Sequence, residues 1–307
     1  MKIAVMGSGG VGGYFGARLV QAGCDVAFIA RGAHFAAMRD HGLKVESSLG
    51  DIVLPKVQVT DDPGTLEPVD LVLFSVKLWD TEAAAASIAS LFGPDTGIVS
   101  FQNGVQKDDI LRRVFGDKAV MGGVGYIATK IEAPGVIKHT GNMQRLVFGE
   151  YDGRRSARAE ALLDACKRGG IHAELSGDIR REIWEKFVFL VGLSATTTTM
   201  RLPIGPIRSN PQTRAFLYDL MRETVAVGRA HGVALPEDYA SQRLAFADTV
   251  PADMMSSMYH DLERGKPLEL AWLSGGVVEL GAAVGVPTPA NRAVRDILAL
   301  HAHGRGQ

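Results

Sequence analysis

The sequence has few cysteines, almost no net charge and no long hydrophobic run. Its two cysteines, Cys24 and Cys166, are too few for a disulfide framework and are typical of a reducing compartment. With 33 basic and 34 acidic side chains, no overall field attracts nucleic acid or an anionic membrane. The most apolar stretches, 119–128 and 187–193, are far shorter than the roughly 20 residues that cross a bilayer, and the residues before Gly7 leave no room for a signal peptide. We therefore expect a cytoplasmic protein with no nucleic acid and no membrane partner.

The first half of the chain alternates short apolar segments with helical patterns, and long helical patterns follow from about Asp178. Strands are predicted at residues 3–6, 25–30, 70–76, 97–101, 119–121, 135–139 and 145–149, and helices at 11–22, 81–91 and 156–167. This alternation is typical of a parallel sheet with right-handed crossovers. Further helices are predicted at residues 210–232, at 252–283 with a break near 265–267, and after 287–289. Since 307 residues exceed what one core usually covers, we expect two domains.

A glycine-rich loop, Gly7-Ser8-Gly9-Gly10-Val11-Gly12, follows the first predicted strand and opens a helix. In a dinucleotide site the first glycine allows a tight turn, the second the approach of a pyrophosphate, and the third close helix–strand packing. The helix N-terminus adds N–H donors and a positive dipole end. All six residues are therefore predicted to bind a cofactor, with a glycine-rich turn that binds nothing as the alternative. The expected fold class is α/β, with a Rossmann-type parallel-sheet domain over residues 1–177 and an all-helical domain over residues 178–307.

The acidic residue that commonly binds the ribose 2′-hydroxyl of NAD is missing after the second predicted strand. Ala30-Arg31-Gly32 stands there instead. The guanidinium of Arg31 can bind a 2′-phosphate through charge-assisted hydrogen bonds, which contribute about 1.5–3 kcal/mol. We therefore expect NADP (as NADPH) to be the cofactor, and an exposed surface arginine is the alternative.

A lysine lies on a strongly apolar predicted helix. The segment from Arg180 to Val191 begins amphipathic and then becomes apolar on every side, which is typical of a buried helix. Lys186 lies where this change occurs, and Leu190 and Ser194 share its face at helical spacing. The lysine either extends its ammonium to solvent or acts as a catalytic acid in a cleft. The residues alone leave both interpretations open.

Several motifs, in their order along the chain, resemble those of the ketopantoate reductase (2-dehydropantoate 2-reductase) family. They are the glycine loop, Ser75-Val76-Lys77, Gln102-Asn103-Gly104, Ile183-Trp184-Glu185-Lys186, and Ser256-Ser257-Met258 followed by Leu268-Glu269. The resemblance extends from residue 2 to about residue 295. It implies that Lys186 is the general acid, which protonates the substrate's carbonyl oxygen as hydride reaches the adjacent carbon. The chemistry agrees, because ketone reduction builds negative charge on oxygen and a positioned ammonium stabilises that charge.

The resemblance also implies roles for residues that bind the cofactor. Lys77 and Arg31 would contact the adenosine phosphate, and the backbone of Ala128 would contact the nicotinamide. Asn103, at the carboxyl end of a parallel strand, would touch both the nicotinamide end and the substrate. These residues and the glycine loop form the expected NADP site.

On the substrate side, the resemblance implies that Glu269 binds near the cofactor and holds Lys186 in place, so that both belong to the catalytic group. Ser257 would donate a hydrogen bond to the substrate. The alternatives are a surface glutamate near Lys266 and an ordinary helix serine.

The substrate shell departs from the family pattern. Positions one and two turns after the lysine are commonly asparagines that bind the substrate's hydroxyl and carboxylate, and here they are Leu190 and Ser194. A further family asparagine is matched by Ile204. Substrate contacts are therefore expected from a partly apolar set: Asn103, Lys186, Leu190, Ser194 and Ser257.

The function expected from these residues is NADPH-dependent reduction of a 2-oxoacid, of the type that converts ketopantoate to pantoate in pantothenate biosynthesis. The cofactor and substrate would lie in a cleft between the two domains. Alternatives are a D-2-hydroxyacid dehydrogenase of the same superfamily with a less polar substrate, a β-hydroxyacid dehydrogenase, and a redox-sensing NADP-binding protein without turnover. No metal is expected, because the eight histidines show no ligand spacing. The apolar surface of the helical half is compatible with a homodimer.

Overall fold

The computed structural model describes residues 1–305, which form two compact units. The first unit contains Met1–Asn103 and Lys107–Glu182. The second contains Gly104–Gln106 and the chain from Ile183 onward. The division into domains at residues 1–177 and 178–307 stays a prediction, because a compact set of contacts does not show that either part folds alone.

Ten strands form one mixed sheet within residues 1–305, all of them in the first unit. They are β1 (Lys2–Met6), β2 (Asp25–Ile29), β3 (Leu43–Ser47), β4 (Ile52–Leu54), β5 (Gln58–Thr60), β6 (Leu71–Phe74), β7 (Gly97–Ser100), β8 (Val120–Ala133), β9 (Val136–Gly149) and β10 (His172–Leu175). Their order is β4-β3-β9-β8-β7-β6-β1-β2-β5, and β10 also pairs with β9. From β5 to β8 every pair is parallel, in the strand order of dinucleotide-binding folds. The predicted parallel sheet is thus confirmed. Beyond β8 the pairing is mixed, since β9 pairs antiparallel with β8 but parallel with β3 and β10.

Twelve α-helices accompany this sheet in the part of the chain that the structure describes. They are α1 (Gly10–Gln21), α2 (Gly32–His41), α3 (Thr81–Ser87), α4 (Lys107–Phe115), α5 (Ala157–Arg168), α6 (Ile179–Met200), α7 (Ile204–Ser209), α8 (Pro211–Ala230), α9 (Tyr239–Ala247), α10 (Ser257–Glu263), α11 (Ser274–Ala283) and α12 (Pro289–Leu298). The long helix α6 begins in the first unit and continues in the second. Among the described residues, no helix has the length and apolar character of a membrane span, and no group of three or more potential ligands is placed to hold a metal ion.

Side chains of the central strands alternate between two cores. Along β1, Ile3 and Val5 pack into one core while Ala4 and Met6 pack into another, as the period of two in a strand requires. The sheet is therefore covered on both faces. A third core lies in the second unit, where the buried face of α6 packs with helices such as α8 and α9.

The segment after β7 differs from the prediction of three short strands. It forms two strands of 14 residues each, β8 and β9, which pair as an antiparallel hairpin across a turn at Gly135, whose φ is +77°. The first half of β8 is buried, but its second half is largely exposed. Backbone pairing holds this exposed half together, and such pairing leaves no hydrophobic pattern in the sequence.

The predicted helix over residues 252–283 is wrong in extent. The structure has two helices there, α10 and α11, separated by residues 264–273, which contain only a short 3-10 turn, Glu269–Ala271. The break is longer than Gly265 and Pro267 alone suggest. Leu268 and Leu270 are buried in the core of the second unit, and this part of the chain is not α-helical. Predicted helix starts at Asn210 and after residues 287–289 are confirmed: the Asn210 side chain accepts hydrogen bonds from two backbone N–H groups of α8, and α12 begins at Pro289.

Candidate active site

The glycines of the loop before α1 have three different surroundings. Gly7 has a φ of +90°, and a Cβ there would lie 2.7 Å from the backbone nitrogen of Val76. A Cβ on Gly12 would overlap the carbonyl oxygen of Gly7, so the close approach of α1 requires glycine. A Cβ on Gly9 would meet nothing within 4 Å. The backbone at Gly9 therefore faces open space, which is what the approach of a pyrophosphate needs.

The N-terminus of α1 is available to an anion. Its cap residue, Gly9, provides no side-chain hydrogen bond, and the first N–H groups of a helix have no partner within the helix. Ser8 does not compete for them, because it is 2% exposed and its hydroxyl donates to the carbonyl of Ile29 at 3.0 Å. Gly10 and Val11 lie in this first turn. The donors and the dipole end fit the pyrophosphate of a dinucleotide.

His34 in α2 links this loop to the β8–β9 turn, and sequence reasoning missed it. Its Nδ1 accepts a hydrogen bond from the backbone N–H of Gly135 at 3.0 Å. Nε2 therefore carries the proton and donates to the carbonyl of Ser8 at 2.9 Å. Burial lowers the pKa of His34, although its bond to Ser8 acts in the other direction. The neutral ring is the form that holds both contacts.

Arg31 and Lys77 lie at one edge of the sheet, because β2 and β6 are both parallel neighbours of β1. Arg31 directly follows β2, its side chain is 70% exposed, and its guanidinium donates to the Asp80 carboxylate at 3.0 Å. The ammonium of Lys77 lies 5.5 Å from the centre of the Trp79 ring. The ion pair with Asp80 is a contact that the sequence did not indicate.

Asn103 is partly exposed in the loop after β7. The residue before it, Gln102, is buried, and its side-chain amide donates to the Thr81 hydroxyl at 2.8 Å. The backbone N–H of Gln102 donates to the Ser100 hydroxyl at 3.3 Å. These bonds fix the start of the loop and leave the neighbouring asparagine reachable.

Ala128 lies where the pairing of β8 with β9 is irregular. Ile127 pairs with Gln144, but Thr129 pairs with His139, so Ala128 has no register partner. Ala128 is exposed. The hydroxyl of Thr129 is buried and has no hydrogen-bond partner in residues 1–305. A break in the ladder leaves backbone groups for a ligand, which suits the backbone contact predicted for Ala128.

In the second unit, Lys186 lies on the one face of α6 that is not fully buried. That partly exposed face includes Glu185, Lys186, Phe189 and Leu190, and towards the end of the helix Thr199 and Met200. Ser194, two turns beyond the lysine, is completely buried, and its hydroxyl has no hydrogen-bond partner within the described chain. Buried hydroxyls are normally satisfied by protein, water or ligand. The predicted buried helix is thus confirmed, and its lysine is reachable.

Three other predicted positions differ in exposure. Ser257 begins α10 and is exposed, whereas Ser256 before it is a buried cap that accepts a hydrogen bond from the Thr197 hydroxyl at 2.9 Å. Glu269 is buried at the start of its 3-10 turn. Ile204 is fully buried in the core of the second unit. Ile204 is thus a core residue of the second unit.

An aromatic contact near Lys186 also escaped the sequence analysis. The Phe189 and Phe246 rings are 5.0 Å apart in an edge-to-face arrangement that joins α6 to α9. The guanidinium of Arg243 lies 5.1 Å from the Phe246 ring centre and 4.8 Å from that of Tyr239. The Nε of Arg243 is buried without a hydrogen-bond partner among residues 1–305. Phe189 is one helical turn from Lys186, so this side of the lysine is apolar.

Comparison with known proteins gives the class of the molecule. The family described as "Ketopantoate reductase PanE/ApbA" matches residues 3–153, and its C-terminal counterpart matches residues 178–302. A 2-dehydropantoate 2-reductase of Mesorhizobium japonicum is 32% identical over 327 residues, covering 100% of this chain and 99% of that protein. A PanE/ApbA family ketopantoate reductase from Ralstonia eutropha JMP134 has a crystal structure with a TM-score of 0.89 and 35% identity, covering 98% of each chain.

These matches and the dinucleotide loop define an oxidoreductase. The chain belongs to the ketopantoate reductase family. D-mandelate dehydrogenase, in a ternary structure with NADH and anilino(oxo)acetate, is also similar, with a TM-score of 0.90 and 98% coverage of each chain. Its identity is 22%, so that similarity shows a shared fold alone.

Proposed function

We propose that this protein uses NADPH to reduce a 2-oxoacid to the corresponding 2-hydroxy acid, by a reaction of the 2-dehydropantoate 2-reductase type. The observation that carries the proposal is a reachable lysine on the partly exposed face of a helix whose other faces are largely buried. One turn from Lys186 lies Leu190, and two turns away lies the unsatisfied hydroxyl of Ser194. A lysine that only solubilised the surface would not require such surroundings.

The cofactor would be held by residues of the first unit. The open backbone at Gly9 and the N-terminus of α1 bind the pyrophosphate, and Arg31 and Lys77 bind the adenosine phosphate. Asn103 and the backbone of Ala128 bind the nicotinamide end. Bound NADPH supplies the hydride. The preference for NADPH over NADH follows from Arg31, because the position offers a cation and no carboxylate of its own.

Lys186 acts as the general acid in this proposal. Its Nζ holds a proton and donates it to the carbonyl oxygen of the substrate as negative charge develops there. Glu269 holds the lysine and the cofactor side in position, and Ser257 donates a hydrogen bond to the substrate. Ser194 is completely buried, so the contact with the substrate's carboxylate that the sequence predicted for it would require the side chains around its hydroxyl to move.

The substrate we propose has a less polar side chain than ketopantoate. Leu190, Phe189 and Phe246 make the side of Lys186 apolar. A substrate hydroxyl placed against Leu190 without a partner would cost about 1–3 kcal/mol. Ketopantoate should therefore be a moderate substrate, and an apolar 2-oxoacid should be relatively better.

The test compares kcat/KM for ketopantoate, 2-oxoisovalerate and phenylglyoxylate in the wild type and in Leu190→Asn. We expect Leu190→Asn to move the ranking toward ketopantoate, because the amide can pair with its hydroxyl. Leu202→Asn is the matched control, since Leu202 is 47% exposed in the same unit and should leave the ranking unchanged. A wild-type preference for ketopantoate above roughly a hundredfold, or an unchanged ranking in Leu190→Asn, would contradict the proposed substrate class.

A further inference from the structure

A second lysine, Lys107, is buried in the first unit and has no place in the chemistry above. It is the first residue of α4, and its side chain is 1% exposed. Its ammonium donates to the carbonyl of Ser100 at 2.8 Å, to the carbonyl of Gly123 at 3.2 Å and to the Asp108 carboxylate at 3.1 Å. The ammonium therefore joins the end of β7, the middle of the buried half of β8 and the start of α4.

These bonds close the loop that carries Asn103. Ser100 is the last residue of β7 and Lys107 the first of α4, so their hydrogen bond ties together the two ends of residues 101–106. Gln102 fixes the same loop through its bond to Thr81. Asn103 is held between these two attachments. Asn103 is partly exposed, whereas Gln102 and Lys107 on either side of it are buried.

A buried lysine contributes little net stability at such a position. Burial removes the hydration of the ammonium and lowers the pKa of Lys107, against the opposing effect of Asp108. Buried ion pairs are often no more stabilising than apolar side chains of similar volume. The two carbonyl bonds, in contrast, fix geometry, because an apolar side chain could not hold the carbonyls of Ser100 in β7 and Gly123 in β8 at hydrogen-bond distance from one point.

We propose that Lys107 is a positioning residue that sets the place of the Asn103 carboxamide through the loop of residues 101–106. This inference rests on the proposed role of Asn103 at the nicotinamide end and the substrate. Lys107 touches neither reactant, since it is buried among backbone carbonyls and Asp108. A displacement of about 1 Å in a positioning group can cost about 100-fold in rate.

The experiment uses two variants at Lys107 and a control at Tyr151, which contacts the same Asp108 carboxylate. Lys107→Met removes the ammonium but leaves the Asp108 charge buried, which can unfold the protein. The double variant Lys107→Met/Asp108→Asn removes both charges at nearly constant volume. Tyr151→Phe is the control, because the Tyr151 hydroxyl donates to Asp108 at 2.6 Å without contacting the loop. We expect the double variant to lower kcat about 10- to 100-fold with KM and the Kd for NADPH little changed, and Tyr151→Phe to keep the wild-type kcat.

Combining the double variant with Asn103→Ala distinguishes a positioning role of Lys107 from a general loss of structure. In Asn103→Ala the carboxamide is gone, so adding the double variant should lower kcat no further. Losses that multiply in the combined variant would overturn the inference, as would unfolding of both Lys107 variants or an equal loss in Tyr151→Phe. A wild-type kcat in Asn103→Ala alone would instead remove the proposed role of Asn103, and the inference with it.

Discussion

At the scale of single residues, cofactor choice depends on Arg31. Its ion pair with Asp80 is exposed, and such pairs contribute about 0–1 kcal/mol, so the guanidinium can exchange the carboxylate for a phosphate. We predict that NADPH binds at least roughly tenfold more tightly than NADH, from a contribution of about 1.5 kcal/mol or more. Arg31→Ala should reduce this preference and leave the Kd for NADH nearly unchanged. Equal Kd values for both cofactors in the wild type would refute the prediction.

The control for this measurement is a second arginine in the same region. Arg39 in α2 is exposed and pairs with Asp40 at 2.8 Å, much as Arg31 pairs with Asp80. Arg39→Ala removes a similar charge without removing the cation that follows β2. It should leave the ratio of the two Kd values as in the wild type.

Lys186 carries the chemistry in our proposal, and its removal should affect turnover more than binding. Lys186→Ala is expected to lower kcat by about two to four orders of magnitude, the range for loss of a general acid. The Kd for NADPH should change little, whereas Glu269→Ala should weaken both binding and turnover. Stopped-flow oxidation of NADPH with the preferred 2-oxoacid measures this. A wild-type rate in Lys186→Ala would mean that the lysine is structural.

At the scale of elements, the contact between α2 and the β8–β9 turn predicts a pH effect on stability. Protonation of Nδ1 in His34 would place an N–H against the Gly135 N–H and break the link. Because burial lowers the pKa of His34 in the folded protein, the unfolded chain binds its proton at a higher pH. The stabilisation is thus complete above the ordinary histidine pKa of about 6.5 and decreases as the pH falls through the lowered value.

Thermal unfolding between pH 8 and pH 5 measures this contribution. Acidification should lower the Tm of the wild type more than that of His34→Gln, which cannot titrate at this position. His172→Gln is a control, because His172 is an exposed histidine elsewhere in the same unit. Parallel Tm curves for the wild type and His34→Gln would show that His34 does not contribute.

The elements that the sequence predicted well are those with a hydrophobic period or a cap. Strands β1, β2, β6 and β7 lie within two residues of their predicted bounds, and α5 starts directly after its cap, Ser156. The short strands β3, β4 and β5 were missed, because few of their side chains are buried and their pairing depends on distant backbone.

The candidate site likewise contains residues with a local sequence pattern and residues that depend on distant backbone. The glycine loop, Arg31 and Lys186 belong to local motifs, so the sequence reveals them. His34 and Lys107 act through backbone carbonyls or N–H groups of distant segments, such as Gly135 and Gly123. No local pattern marks such contacts. A lone lysine beside two aspartates is typical of a solvated helix start until the fold shows that it is buried.

At the scale of the whole molecule, two variants of the glycine loop test folding stability and cofactor binding separately. NADPH at 100 times its Kd should stabilise the protein by about 2.7 kcal/mol, which corresponds to a rise of several degrees in Tm. Gly9→Ala should keep the Tm of the free protein, because the new Cβ meets no protein atom within 4 Å, and should lose the NADPH shift. Gly12→Ala should lower the Tm of the free protein, since its Cβ overlaps the carbonyl of Gly7.

An unchanged NADPH shift in Gly9→Ala would show that the pyrophosphate does not approach the loop at that residue. A lower Tm for free Gly9→Ala would contradict the open space around it. The pair of glycine variants therefore tests the binding prediction and the packing prediction independently of any oxoacid.

The brief passage of the chain through the second unit at Gly104–Gln106 limits how the protein can be dissected. The polypeptide passes from one unit to the other after Asn103, again after Gln106, and a third time after Glu182. A gene fragment that stops at codon 182 would retain Gln106 but lose Glu279, to which its amide donates. One stop codon or one protease site cannot yield either unit intact. A recombinant first unit would need a designed bridge from Asn103 to Lys107, so separating the two units takes a redesigned gene and not a simple truncation.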